Sequence, residues 1–256
     1  MLQDTDILAA VLYRMYQREG GVYSLLYGLL EQEVRLTGAL GSGVAREKLI
    51  VCGVTENQSQ LFRTNSIVTR IITQHVRTSG FAYFRNLLLP TVAAVAEINH
   101  ETEQEDVTRI VIDLLSRIVK IEDVPSPLRH TFHLVSTSTL SKFETSRHAV
   151  SSFFFLRVLC PALVSPERFD ILIEDDRSRL LLLKMGKILL NIANVQAFGA
   201  KDPQLAVYNS LLEAKYQEIV DFLTELGASW PEPASRVNMP DRMLLRSDAD
   251  VDEEFM

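Results

Sequence analysis

The sequence predicts an all-α fold, and three observations carry that prediction. Apolar residues recur at helical spacing over most of the chain. No period-two strand series and no Asn-Gly hairpin signal occurs. Glycine (11) and proline (9) are sparse, and several of them punctuate the ends of periodic stretches.

Taken in chain order, the first clear helix face begins at Val22 and continues through Leu25, Leu26, Leu29, Leu30 and Val34. Helical patterns follow over residues 64–79, 81–98, 103–121, 127–140, 145–164 and 179–198. A last face runs from Leu205 through Tyr208, Leu212, Tyr216, Ile219, Leu223 and Leu226. Ser79-Gly80 separates two of these helices, and Pro125 and Pro127 mark a break after Ile121. Pro90 lies inside an apolar pattern, where a kink or boundary is expected, and Pro161 should end or bend its helix near the preceding turn. The acidic stretch 101–106 suits a solvated first helical turn. The chain divides into a helical domain over residues 1–228 and an acidic, proline-containing tail over 229–256 that reads as flexible.

Composition narrows the function. Apolar residues make up 47 % of the 256, enough for a sizeable core. The 26 basic and 33 acidic residues leave a net charge of −7, which argues against a nucleic-acid face as the default. Cys52 and Cys160 fit no paired spacing and read as free core thiols of a reducing, cytoplasmic setting. The N-terminus lacks a signal-peptide pattern, and the apolar run 153–164 is too short to span a bilayer. His130 and His133 have i,i+3 spacing but no evident third ligand, so no metal site is expected. Gly38, Gly41 and Gly43 lack the Lys-Ser/Thr ending of a phosphate loop, and no Gly-x-Ser-x-Gly elbow occurs. The chain's own residues make no complete hydrolytic site.

Three segments stand out. Residues 60–66 place Arg63 on or beside a loop, with Leu61 and Phe62 able to anchor it and Thr64, Asn65 or Ser66 able to cap the next helix. Alone, Arg63 reads as an ordinary exposed arginine. In residues 153–164, Arg157 is the single charge within an apolar run. It either snorkels to solvent or spends its five donors on the carbonyls of a nearby loop, and the second reading explains its surroundings better. In the third segment Lys184, Lys187, Asn191 and Asn194 share one helix face, which for any one residue is most simply the wet side of an amphipathic helix.

Together these segments resemble the catalytic domain of Ras GTPase-activating proteins (RasGAP), with blocks like those of neurofibromin and its relatives. Leu61-Phe62-Arg63-Thr64-Asn65-Ser66 looks like the family's finger loop. Phe155-Leu156-Arg157, followed by Pro161-Ala162 and Ser165-Pro166, looks like its signature helix. Ile192-Ala193-Asn194 and Phe198-Gly199-Ala200-Lys201-Asp202-Pro203 are similar to its third block. Ile67-Val68-Thr69-Arg70 stands where the family commonly has Leu-Ala-Ser-Lys.

The resemblance implies a single elongated helical domain that stimulates GTP hydrolysis by a Ras-type small GTPase in its GTP-bound state. Arg63 would be the arginine finger supplied in trans, and Arg157 the brace of its loop. Leu61, Phe62, Lys187, Asn194, Lys201 and Asp202 would contact the partner. The chain would be a monomeric activator rather than an enzyme. It would need no cofactor of its own, since GTP and Mg are bound by the partner, and it would reach membranes only by recruitment. The alternative is a catalytically silent binding module for GTP-loaded GTPases.

Overall fold

The computed structural model describes residues 2–37, 61–62, 64–99, 101–173 and 175–228. Cys52, Arg63, Gly38, Gly41, Gly43 and the acidic tail at 229–256 lie outside the described residues. Among the described residues every regular element is helical, as the periodicity predicts.

The first helix, α1 (Leu2–Arg18), is not among the helices that the spacing predicts. Its Ala9 and Tyr13 are buried, yet Ile7, Leu8, Val11 and Met15 are exposed on the other side. Apolar residues all round the helix erase the one-sided stripe that identifies an amphipathic helix. Next, α2 (Val22–Leu36) buries Val22, Leu26, Leu30, Glu33 and Val34. It is followed by α3 (Ile67–Ser79) and α4 (Phe81–Ala96), which meet at Gly80. A Cβ at Gly80 would lie 2.8 Å from the Val76 carbonyl and 2.7 Å from Leu128 Cδ1, so the junction closes only around a bare Cα.

The helix α5 (Glu103–Ile118) carries Glu103, Glu105 and Asp106 in its first turn, where the dipole favours them. Glu103 also receives Lys184 and lies 3.8 Å from Arg177, tying α5 to α9. After a 3-10 turn (Ile121–Asp123) comes α6 (Ser126–Leu140). His130 of α6 stacks on Tyr23 at 4.0 Å, and His133 Nδ1 lies 2.9 Å from the Ala228 carbonyl. Both histidines are thus engaged in packing and hydrogen bonding. Among the described residues no three potential ligands cluster as a metal site.

The centre of the fold is one continuous helix in three parts: α7 (Arg147–Ser151), a π-helical stretch (Ser152–Leu159) and α8 (Cys160–Val164). Phe153, Phe154, Phe155, Val158 and Leu159 are all fully buried. Phe154 contacts the rings of Phe84, Phe132, Phe155 and Phe222, so α4, α6 and the last helix close on it. As a continuous helix of 18 residues it has the length and apolarity of a membrane span, but 67 % of it is buried inside the fold. Its apolarity therefore serves a protein core. A 3-10 turn (Pro166–Phe169), α9 (Asp176–Asn194), another 3-10 turn (Pro203–Tyr208) and α10 (Asn209–Gly227) complete the order. The helix α9 packs on α8, while α10 packs on α6 and α9.

Neither internal proline ends its helix, so of the two outcomes expected at each the boundary is excluded. Pro90 lies inside α4 without ending it. The carbonyl that Pro90 leaves without its usual donor is that of Asn86 four residues back; one residue along, Arg117 donates to the Leu87 carbonyl at 2.8 Å and to Thr91 Oγ1 at 3.0 Å. Pro161 likewise fails to end its helix. The Cys160 amide reaches back to the Phe155 carbonyl, the wider i+5 bond of a π turn. Pro161 offers no N–H to the Arg157 carbonyl four residues back, and Arg77 Nη2 supplies a donor there at 3.4 Å. At Pro161 a side-chain donor stands in for the missing backbone donor, and both helices continue through their prolines.

Truncating the central ring is expected to be the most damaging single change in this core. Phe154→Ala should lower unfolding stability by about 3–5 kcal/mol, read from urea denaturation. A loss below about 1 kcal/mol would mean that the surrounding rings collapse into the space.

Candidate functional site

The site grows from the start of α3. Ser66 is its N-cap: Ser66 Oγ accepts from the Thr69 amide at 3.2 Å, so of the three predicted capping candidates Ser66 takes the role. Thr69 Oγ1 donates back to the Thr64 carbonyl at 2.9 Å, and Arg70 Nε donates to the Asn65 carbonyl at 3.4 Å. Arg70 is in turn ion-paired with Asp6 of α1.

On the other side of the loop, Leu61 and Phe62 are buried, with 1 % and 0 % of their surface exposed. Phe62 packs on Phe153 with centroids 5.1 Å apart. Their side chains point into the core and serve as the anchors that the sequence allowed. Phe62 also has φ of 60°, a left-handed conformation that is strained for a large L residue. Burial of its ring against Phe153 holds it there.

Arg157 joins the two sides. It projects from the π-helical stretch, half-buried, and its guanidinium makes three bonds to the loop. Nε donates to the Phe62 carbonyl at 2.8 Å, Nη2 to the Thr64 carbonyl at 2.5 Å and Nη1 to Asn65 Oδ1 at 3.1 Å. The sequence left Arg157 between snorkelling and bracing, and the geometry is that of a brace. Its carbonyl acceptors belong to the residues on either side of Arg63. Arg63 itself lies outside the described residues. Burial lowers the Arg157 pKa; Glu33 opposes that shift and Arg70 adds to it.

Beside the loop runs a cleft in two connected parts, about 950 Å³ and about 330 Å³, that share Leu156, Pro161 and Arg168. The larger part is lined by Arg70, Arg77, Arg157 and Arg168 against one acid, Asp6. The smaller is more apolar. Val164 and Leu183, 38 % and 42 % exposed, line it together with Gly186, Lys187 and Leu190. A chain of net charge −7 thus presents a locally basic cleft with an apolar extension.

The remaining predicted contact residues are partly assembled there. Lys187 lines the smaller part of the cleft and pairs with Asp202 at 2.9 Å, next to exposed Lys201. Asn194 is half-buried at the last position of α9, apart from the cleft-lining residues, and the following Val195 has φ of 54°. Lys184 is committed to Glu103. The α9 edge that faces the cleft is therefore Leu183, Gly186, Lys187 and Leu190, at i, i+3, i+4 and i+7, rather than the Lys/Asn stripe. Cys160, half-buried in the same wall, donates to the Gly186 carbonyl at 3.4 Å, and burial pushes its thiol up to about 12.

Sequence reasoning missed Arg77, Arg168 and Glu33. For the two arginines no local pattern distinguishes them from ordinary surface charge. Glu33 did carry a signal, since it falls on the buried stripe of α2 with Leu26, Leu30 and Val34. Its Oε2 accepts from Ser66 Oγ at 2.8 Å.

The chain is similar to known proteins over most of its length. The sequence profile of the GTPase-activator protein for Ras-like GTPase (RasGAP) matches residues 99–194, a span that contains Arg157, the cleft-facing edge of α9 and Asn194. Ras GTPase-activating protein 1 of Homo sapiens is 25 % identical over 248 residues, covering 88 % of this chain and 22 % of that protein. Disabled homolog 2-interacting protein of Homo sapiens is 26 % identical over 239 residues, covering 86 % and 19 %. Ras GTPase-activating protein nGAP of Homo sapiens is 25 % identical over 245 residues, covering 88 % and 20 %. The chain thus spans about a fifth of the length of these relatives. In sequence profile over residues 99–194, in relatives and in its all-helical fold, this chain is similar to the Ras GTPase-activating proteins.

Proposed function

We propose that the chain stimulates GTP hydrolysis by a Ras-type small GTPase in its GTP-bound state, with Arg63 as an arginine finger inserted in trans. The observation that carries this reading is the three-bond brace from Arg157 to Phe62, Thr64 and Asn65, which fixes the chain on both sides of position 63. A loop held this way has little conformational freedom left to lose when it docks.

The chemistry asked of Arg63 is electrostatic. As the γ-phosphate leaves, negative charge builds on its oxygens and on the leaving oxygen. A guanidinium held in a dry site neutralises that charge without reorganising. The Arg63 main-chain carbonyl would help to orient the partner's catalytic glutamine, which positions the attacking water. Arg157 stays on the loop and touches no phosphate. GTP and its Mg²⁺ would be held by the partner, so the chain needs no cofactor and contributes positioning and one charge.

Docking would use the cleft. Its arginines suit an acidic surface, while Val164, Leu183 and Leu190 supply apolar contact that a small anion would not need. Lys187, Asp202 and Lys201 would sit at its rim. The likeness of the motif blocks to neurofibromin is a finer proposal about kinship within the family.

Three outcomes are expected. In single-turnover assays with a GTP-loaded Ras-type protein, Arg63→Ala should lower stimulated hydrolysis by roughly 10³-fold or more, the size established for fingers in Ras–activator pairs, with partner binding retained. Wild-type rates from that variant would leave only a silent binding module. Arg157→Lys keeps the charge but cannot form the fork, and should cost less, roughly 10²-fold, chiefly in kcat. Equal kcat for Arg157→Lys and wild type would remove the brace from the mechanism. Lys187→Glu should raise KM for the partner and weaken the salt dependence of association while sparing kcat; an unchanged KM would place docking elsewhere.

A further inference from the structure

A buried carboxylate abuts the start of the finger loop's helix. Glu33 has 0 % of its surface exposed. Its Oε2 accepts from Ser66 Oγ at 2.8 Å, and the same hydroxyl oxygen caps α3 by accepting from the Thr69 amide at 3.2 Å. Its other oxygen, Oε1, has no hydrogen-bond partner among the described residues. Arg157 grips the residues just before Ser66, donating to the Thr64 carbonyl and to Asn65 Oδ1, so the acid and the guanidinium hold adjacent points of one segment. An apolar residue on the α2 stripe would pack here without this penalty, because a buried, half-satisfied acid costs stability. Such a cost, borne at the edge of a proposed catalytic loop, points to a use.

We propose that Glu33 is a positioning residue for the finger loop: its Oε2 holds Ser66 at the start of α3 while its charge steadies the Arg157 guanidinium across residues 62–65. The proposal rests on the reading of Arg63 as the finger. It adds a second layer to the brace. Arg157 grips the loop, and Glu33 keeps Arg157 and the α3 cap in register with each other.

The ionisation of Glu33 gives this role a signature. Burial pushes its carboxyl up to about 7, against the opposing pulls of the Ser66 hydrogen bond and of Arg157. Folding therefore favours the protonated form. The stabilisation is fully present below the ordinary value of 4.5 and is lost as pH rises through about 7. The charged form that steadies Arg157 is thus the form that the fold tolerates least.

The charged groups on the surrounding elements are Arg70 on α3 with Asp6 of α1, Arg157 on the π-helical stretch, and Lys142 beyond α6, which donates to the Val34, Arg35 and Thr37 carbonyls. Tyr23, His75 and His130 form a separate group near the start of α2. Burial holds His75 at about 4 and lowers His130 as well, so His75 stays neutral where Glu33 titrates.

The test compares wild type, Glu33→Gln and Arg63→Ala as full chains, in single-turnover hydrolysis with a GTP-loaded Ras-type protein from about pH 6 to about pH 8. Glu33→Gln keeps the shape and an oxygen for Ser66 but removes the charge. Expected is a several-fold loss of stimulated kcat at the upper pH, convergence with wild type at the lower pH, an unchanged KM, and a melting temperature at the upper pH equal to or above wild type. Lower activity in a protein at least as stable is a combination that a packing role does not produce. The proposal is overturned if Glu33→Gln keeps the wild-type rate and pH profile while Arg63→Ala is impaired, or if Glu33→Gln merely melts earlier with activity falling in parallel. If wild type and Arg63→Ala are equally inactive, the finger reading has failed instead. Tryptic cleavage after Arg63, read without any partner, then decides the positioning role alone. Glu33→Gln should be cut several-fold faster than wild type at the upper pH only, and equal cleavage at both ends overturns it.

Discussion

The guanidinium of Arg157 is the point on which this structure turns. A half-buried arginine beside an aromatic core is costly unless its donors are used, and a loop that leaves the core for a few residues exposes carbonyls that no helix can satisfy. Each solves the other's problem. The bonds to Phe62 and Thr64 span 95 and 93 residues of sequence, so the loop is defined by tertiary contact rather than by its own turn chemistry. The strained φ of Phe62, the ring contact with Phe153 and the Ser66 cap follow from holding the chain in that place.

Much of the fold was legible because α2 to α6, α9 and α10 bury one face each, and one buried face writes a repeat into the sequence. Where two faces are apolar, as in α1, the repeat disappears. The prolines left the helix ends open for a different reason. Pro161 removes a backbone donor, but Arg77 supplies a replacement from another helix, and no local rule can anticipate a donor that arrives across the fold. Arg157 was readable as a lone charge in an apolar run, whereas Arg77 and Arg168 are cleft residues only because α3 and the turn after α8 are brought together. Glu33 lay in plain view on the α2 stripe. An acid among leucines is a stronger signal than a lysine on a wet face, and the Lys/Asn stripe of α9 shows how easily the weaker pattern is preferred.

Net charge and local charge diverge here. The acidic total keeps the chain away from generic polyanions, while the four arginines of the cleft concentrate positive potential in one concavity. Their mutual repulsion is eased by Asp6 on Arg70 and by the buried Glu33 near Arg157. The apolar extension at Val164 and Leu183 means that a partner must match shape as well as sign. A concavity of this kind can select by shape as well as by sign.

The widened turn of the central helix has a consequence for how the chain tolerates change in length. A π turn holds one residue more than an α turn, so the stretch Ser152–Leu159 behaves as an insertion that the helix has absorbed without breaking. Everything before it stays in phase with the aromatic core, and everything after it is rotated by about 100° relative to an unbroken α-helix. The direction in which Arg157 leaves the helix axis is set by that phase offset. Position 157 is therefore specified by a count of residues as much as by the identity of any one of them. A deletion inside this stretch, chemically silent in every side chain that remains, would turn the guanidinium away from its loop.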